Sequence, residues 1–152
     1  MKKLLSALIV TAMIFSCNQP SPTIKNVPAP VDSLISNWTN AWNNHDSVGV
    51  IKLFINDALL IDDNLVVNKT SDMATKWIHP NIKVVSSLKT NKLQEWSAAN
   101  RAGYTGKYEF DVVVNDSVVA RPKGVFTVNW IADEYGEWKV SVAHIHSFEE
   151  KK

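Results

Sequence analysis

YTGKYEFDVVV, residues 104–114, is the segment from which the fold class follows. Its even positions, from Tyr104 to Val114, carry tyrosine, glycine, phenylalanine and valine. The polar residues alternate with them: Thr105, Lys107, Glu109 and Asp111. Because successive side chains of a strand point to opposite faces, this period of two predicts a half-buried β-strand with a defined inner face.

Neighbouring segments with the same period extend this strand into an antiparallel sheet. Asn115-Asp116 predicts a hairpin turn. Pro122 and Gly124 predict a bend in the strand that follows. The other predicted long strands are 82–97, 118–131 and 137–148.

Apolar residues recur at helical spacing before the sheet. They predict an amphipathic helix over residues 31–44, and they are Val31, Leu34, Trp38, Ala41 and Trp42. Asp46 is expected to cap a second helix that runs through Ile55.

A short hairpin and a third helix complete the N-terminal half. Residues 58–67 predict the hairpin, Thr70 or Ser71 is expected to cap a short helix, and Pro80 ends it. Helices followed by long strands predict an α+β fold, with N-terminal helices packed on one face of an antiparallel sheet.

The composition restricts the class of protein further. A chain of 152 residues with 45% hydrophobic residues predicts one globular domain. The 16 basic residues nearly cancel the 15 acidic ones, which argues against a nucleic-acid partner. A single cysteine excludes an intramolecular disulfide. No phosphate-binding loop, nucleophile elbow or dinucleotide motif occurs in the sequence.

Residues 1–16 predict a signal peptide and not a part of the fold. Two lysines precede an apolar run at residues 4–15, which is too short to span a ~30 Å hydrocarbon core as a helix. Ser16 directly before Cys17 resembles a bacterial lipobox. The resemblance implies that Cys17 is lipidated and begins the mature chain. An uncleaved anchor or ordinary secretion is the alternative.

Residues 17–30 are expected to form a tether between the lipid and the folded domain. Their four prolines favour an extended, semi-rigid backbone. The lipobox resemblance places the protein in the bacterial cell envelope, on the periplasmic side of the outer membrane, anchored through Cys17. The folded domain is expected to span residues 31–149.

Several short motifs follow one another in a fixed order. They are Trp38-x3-Trp42, His45-Asp46, Asp57-Ala58 and Asp133-Glu134-Tyr135-Gly136-Glu137-Trp138-Lys139. With the order of elements over residues 31–148, they resemble the nuclear transport factor 2-like fold in its SnoaL-like branch. The resemblance implies a cone-shaped, cystatin-like fold, in which a strongly curved sheet wraps the helices and leaves a pocket. It implies no single activity, because this fold hosts isomerases, cyclases, dehydratases, binding proteins and transport adaptors.

Asp62 is the candidate catalytic residue. The resemblance places it where similar isomerases carry a general-base aspartate, and burial would raise the pKa of such a carboxyl. The alternative is a hairpin-turn residue that bonds to nearby backbone. Trp38 and Val128 stand where those isomerases carry proton donors, so the groups that would stabilise an enolate are absent.

His144 and His146 are candidate ligand contacts. In a regular strand they share one face with Trp138, Val140 and Val142, which is expected to face the pocket. Two imidazoles could also bind a metal, but a third ligand would be needed. The alternative is a pair of histidines satisfied by ordinary hydrogen bonds. No metal and no cofactor are expected.

Aromatic and apolar residues of the inner face are expected to line the pocket. The predicted ligand-binding set is Trp38, Tyr104, Tyr108, Phe126, Val128, Trp130, His144 and His146. Val125, Thr127 and Ile131 lie on the opposite face of their strand, which would suit the interface of a homodimer.

Three functions remain open. The first is an envelope lipoprotein whose cone binds a small, largely apolar molecule. The second is an isomerase or cyclase that uses Asp62 with His144 or His146. The third is an adaptor whose outer sheet face binds a second copy or another envelope protein. The missing proton donors favour binding over catalysis.

Overall fold

The computed structural model describes residues 28–148. The helical elements are α1 (Val31–Asn43), α2 (Ser47–Lys52), α3 (Thr70–Met73), a π-helical turn (Ala74–Ile78) and α4 (His79–Asn81). The strands are β1 (Phe54–Asp62), β2 (Leu65–Val67), β3 (Val85–Ala98), β4 (Arg101–Val114), β5 (Ser117–Ala120), β6 (Lys123–Ala132) and β7 (Trp138–Ser147). The predicted signal peptide, Cys17 and the tether as far as residue 27 lie outside the described residues.

The first two helices begin where the sequence predicts. Helix α1 follows Pro30, whose carbonyl accepts a hydrogen bond from Leu34 N at 3.0 Å. Asp46 caps α2, because its Oδ1 accepts a hydrogen bond from Gly49 N at 2.8 Å. The prediction that α2 continues through Ile55 is wrong. Its last residues join β1 instead, because Phe54 pairs with a strand from the C-terminal end of the chain.

The third helical segment differs from its prediction at both ends. Thr70 does not cap it, since its hydroxyl donates to the carbonyl of Ile55 and ties α3 to β1. Pro80 does not end it, because the helical backbone continues to Asn81. The helical backbone is continuous through the π-helical turn, so Pro80 lies within its last residues and not beyond its end.

The seven strands form one strongly curled sheet. The strand order is β2-β1-β7-β6-β4-β3, and β5 pairs with β4 outside this path. Pairing is antiparallel throughout the described residues except between β1 and β7, which are parallel. The sequence does not predict that pairing, because it joins distant segments. The cone-shaped α+β fold is confirmed, with the helices on the inner face of the sheet.

Two predictions concern the hairpin around Asn115. The single long strand after the turn is wrong, and the turn itself is confirmed. The segment predicted as one strand at 118–131 is two strands, β5 and β6, separated by Arg121-Pro122. Proline interrupts the ladder because it has no N–H to donate. The Asn115-Asp116 turn is confirmed, with φ values of 50° and 58° at its two residues, as tight two-residue hairpins require.

Strand β7 contains one extra residue. The side chains after it therefore point to the opposite face of the sheet from the one that a regular strand would give them. Trp130 pairs with Val140 and Asn129 pairs with Val142, so Ser141 has no counterpart in β6. Val140 is therefore buried before the bulge and Ala143 after it. An inserted residue reverses the alternation of a strand.

Candidate functional site

A cavity of about 140 Å³, partly open to solvent, lies between the helices and the inner face of the sheet. Six aromatic side chains form most of its wall: Trp38, Trp42, Trp77, Tyr108, Phe110 and Phe126. Aliphatic residues and four polar residues complete it: Val85, Leu88, Ile145, Asp62, Asn81, Thr90 and Ser147. An apolar cavity with a few polar groups is the usual form of a small-molecule site.

The cavity contains only some of the residues that the sequence predicts to line it. Trp38, Tyr108, Phe126 and Asp62 do line it. Three others point inward but are buried in side-chain packing away from its wall: Tyr104, Val128 and Trp130. They share the inner strand face, but their positions along β4 and β6 put them within the packed core.

The prediction that His144 and His146 face the pocket is wrong. Both side chains are exposed, because the bulge at Ser141 turns them to the outer face. His146 Nδ1 lies 3.0 Å from an Asp63 carboxylate oxygen outside the cavity. Ile145 and Ser147 occupy the cavity wall in their place.

Asp62 is the last residue of β1 and continues the inner face of that strand. Ala58 and Leu60, four and two residues earlier, are fully buried on the same face. The turn begins one residue later, at Asp63, which has a φ of 47°. Asp62 is therefore a strand residue that lines the cavity, and the alternative assignment to the turn is not observed.

Trp77 holds the Asp62 carboxylate in place. Its indole Nε1–H donates a hydrogen bond of 2.6 Å to Asp62 Oδ2. The π-helical turn that carries Trp77 has one residue more than an α-helical turn. This turn places both Trp77 and Ile78 in the core.

Burial raises the pKa of the Asp62 carboxyl above its ordinary value. The hydrogen bond from Trp77 lowers the pKa but does not offset the burial, and the charge of Asp63 raises it further. The backbone N–H of Ser147 is the main cause that lowers the pKa of Asp63, which therefore stays charged beside the site. Asp62 carries a carboxylate that is partly deprived of water.

Replacing Asp62 by asparagine should raise the thermal stability of the ligand-free protein at neutral pH. The folded-state pKa of Asp62 lies above its unfolded value, so ionisation destabilises the fold above that pKa. The gain should disappear as the pH falls through the pKa of Asp62, where the wild-type carboxyl is protonated. Thermal unfolding is followed by circular dichroism from neutral pH down through the pKa of Asp62. The difference in unfolding temperature between the variant and the wild type measures the effect.

Asp57→Asn is the matched control for this experiment. Asp57 lies on β1, and its side chain is exposed. We expect its replacement to change the unfolding temperature little at any pH. Equal stabilisation by both variants would show that overall charge, and not burial of Asp62, causes the effect.

The aromatic wall has a helical side and a strand side. On the helical side, the Trp77 ring centroid lies 6.2 Å from that of Trp38 and 5.0 Å from that of Trp42. On the strand side, Tyr108 stacks on Phe110 at 5.9 Å. Aromatic pairs in tilted, edge-on or offset-stacked contact at such distances stabilise packing beyond their buried area.

The hydroxyl of Tyr108 is hydrogen-bonded at the cavity wall. It lies 2.9 Å from the Ser147 hydroxyl, which β7 contributes. Burial raises the pKa of Tyr108. The phenol is therefore neutral at physiological pH and offers one polar contact to a ligand.

Asn43 fixes the end of α1 to the sheet beside the cavity. Its side-chain amide donates to Leu88 O at 3.0 Å and accepts from Leu88 N at 2.6 Å. His45 Nδ1 lies 2.6 Å from Ile82 O. These contacts hold Trp38 and Trp42 opposite strand β3.

Two further findings concern membranes and metals. Among the described residues, no helix has the length and apolarity needed to cross a bilayer. Across residues 28–148, no three His, Cys, Asp or Glu side chains form a group that could hold a metal ion.

Sequence comparisons alone do not assign the chain. No protein-family model matches it, and no curated protein matches it in sequence. The fold and the cavity together define the class: a cone-shaped α+β domain with a pocket between helices and sheet.

Solved structures with the same fold are found at low sequence identity. A ketosteroid isomerase-like protein from Erwinia carotovora atroseptica is 12% identical, with a TM-score of 0.68, over 79% of this chain and 95% of that one. A nuclear transport factor 2-like superfamily protein from Salmonella enterica serovar Typhimurium is 14% identical, with a TM-score of 0.66, over 80% and 91%. A Nostoc punctiforme protein of unknown function with a cystatin-like fold is 8% identical, with a TM-score of 0.62, over 79% and 90%. The chain therefore has the nuclear transport factor 2-like fold.

Proposed function

We propose that this protein binds a small, largely apolar molecule in its cone cavity, as a lipid-anchored protein of the bacterial envelope. The observation that carries the binding function is the aromatic wall around an open cavity. Filling such a cavity removes apolar ligand surface from water. This burial stabilises the complex by about 25 cal/mol per Å² of apolar surface. The polar residues Asp62, Asn81 and Thr90 supply the contacts that would orient the ligand.

The envelope location is a proposal from the sequence. Its support is the signal-peptide pattern of residues 1–16 and the single cysteine that follows Ser16. Membership of the SnoaL-like branch is likewise a proposal, which rests on the motifs between Trp38 and Lys139. A tether over residues 17–30 would hold the cavity away from the membrane surface.

Filling the cavity with a side chain should abolish capture of an apolar probe. Thr90 lies on β3 and lines the cavity, so Thr90→Phe should occupy the space that a benzene ring would take. We expect at least about tenfold weaker binding of toluene, because the introduced phenyl ring would displace it. Quenching or shift of the tryptophan fluorescence measures binding.

Lys89→Phe is the matched control for this variant. It adds the same ring one residue earlier on β3, at an exposed position outside the cavity wall. Its affinity for toluene should equal that of the wild type. Toluene binding that Thr90→Phe leaves unchanged would contradict the proposed function, because the ligand would then lie outside the cavity.

Catalysis by Asp62 is the second candidate function. Its support is that this carboxyl lines the cavity and has a raised pKa, as a general base requires. Against it, Trp38 is a poor acid, Val128 is fully buried, and Tyr108 is bonded to Ser147. Proton exchange next to the carbonyl of a bound ketone, followed by NMR, would support catalysis if Asp62→Asn abolished it.

Self-association through the outer sheet face is proposed as a partner interaction. Val125, Thr127 and Ile131 are half-buried on this face of β6. Trp96 lies on the same face across Gly103 and is 46% exposed. Sedimentation of the lipid-free domain would test this, because a monomer at all concentrations would exclude a homodimer.

A further inference from the structure

The cavity has one charged side chain, and that charge is negative. Of the residues that line it within the described part of the chain, only Asp62 and Tyr108 can ionise. No lysine, arginine or histidine among residues 28–148 lines the wall. Tyr108 is neutral at physiological pH, so Asp62 sets the electrostatic preference of the site. An anionic ligand would meet an uncompensated carboxylate.

One oxygen of Asp62 is available to a ligand. Oδ2 accepts the hydrogen bond from Trp77 at 2.6 Å. Within the described residues, Oδ1 has no hydrogen-bond partner. The side chain is only half-buried, so a ligand can reach this oxygen. The donor on Oδ2 favours the ionised form of the carboxyl, and the open oxygen can accept a donor or face a positive charge.

The aromatic rings of the wall near this carboxylate can attract a positive charge at their faces. Trp77 contacts Asp62 directly, and its ring packs against Trp38 and Trp42. Indole has the strongest attraction of the aromatic side chains for a cation at its face, and the effect grows when the cation is removed from water. The three indoles therefore form one cluster in the cavity wall, and the N–H edge of Trp77 joins that cluster to the Asp62 carboxylate.

We propose that the cavity takes a small organic cation, an ammonium or quaternary ammonium group on an apolar body, with Asp62 as its counter-ion. This rests on the proposed binding function and names the class of ligand. The cation would compensate the charge that Asp62 carries in a partly desolvated site. A neutral apolar molecule would leave that charge unpaired, which is unfavourable.

The size of the cavity limits what can enter. Its volume of about 140 Å³ is close to that of a cavity of about 150 Å³ that holds one benzene molecule. One trimethylammonium group or one small ring therefore fits inside. A larger ligand would extend through the side that is open to solvent.

A pair of isosteric probes tests this proposal. Phenyltrimethylammonium and tert-butylbenzene have the same shape, and only the first is charged. Both are titrated into the full chain, and the proton NMR signals of their methyl groups report binding through the ring currents of the tryptophans. We expect the cation to bind at least about tenfold more tightly than the neutral probe.

The variants separate the charge of Asp62 from the shape of the cavity. Asp62→Asn should lower the affinity for the cation at least about tenfold more than it lowers the affinity for tert-butylbenzene. Asp57→Asn, which removes a charge from an exposed position of the same strand, should change neither affinity. Thr90→Phe should lower the affinity for both probes, because the introduced phenyl ring occupies the cavity.

Each remaining outcome contradicts one proposal. Equal affinities for the two probes would overturn the cation proposal and leave the binding function standing. Cation binding that survives Asp62→Asn would also overturn it, because Asp62 would not be the counter-ion. Failure of both probes to bind the wild type would overturn the binding function itself.

Discussion

Trp42→Ala should lower the free energy of unfolding by about 3–5 kcal/mol, because it removes a large side chain from a packed core. Trp42 is only 4% exposed, on the inner face of α1. Its ring meets that of Trp77 edge-on, with centroids 5.0 Å apart. The substitution removes this pair and enlarges the cavity beside it. Urea unfolding followed by circular dichroism measures the loss.

Trp96→Ala makes the same change at an exposed position. Trp96 is 46% exposed and lies on the outer face of the sheet. Substitutions at such positions cost far less than those in a core. We expect less than half the effect of Trp42→Ala. Equal losses for the two variants would contradict the core position of Trp42.

Cys17→Ser should transfer the protein completely from the membrane fraction to the soluble fraction. The acyl chains on Cys17 would supply the membrane affinity, since they bury apolar surface in the bilayer. Within residues 28–148, no helix is long and apolar enough to span a bilayer. Fractionation of cells that express each variant, with immunodetection in both fractions, measures the distribution.

Ser21→Ala is the control for this fractionation, because it changes the tether without touching the modified cysteine. It should remain with the membranes, and it should incorporate radiolabelled fatty acid as the wild type does. A Cys17→Ser protein that stayed in the membrane fraction would favour the alternative of an uncleaved anchor.

Local patterns predict the elements whose structure depends on local contacts. The alternation after Tyr104 predicts β4, and the helical spacing around Trp38 predicts α1, because both patterns reflect one buried face. The end of α2 depends instead on tertiary contacts. Val140 N donates to Leu53 O at 2.7 Å, and this contact brings the chain into the sheet one residue later. No residue near Leu53 indicates a partner so far along the sequence.

The same limit explains which site residues the sequence misses. Alternation and resemblance predict Tyr108 and Asp62 as site residues, and both line the cavity. The faces of His144 and His146 depend on one unpaired residue, Ser141, which has no signature in the sequence. The bond from Trp77 to Asp62 depends on the π-helical turn. A wide helical turn gives no periodic signal that distinguishes it.

The parallel pairing of β1 with β7 also determines when the cavity can form. His146 and Asp63, which this pairing brings together, are 83 residues apart in the chain. Closing so long a loop costs entropy that only native contacts can repay, and such pairings slow folding. On a ribosome, β1 can pair only with its short partner β2 until β7 has been synthesised. The carboxylate of Asp62 and the wall residues Ile145 and Ser147 therefore come together late, and a chain cut before β7 would have no binding site at all.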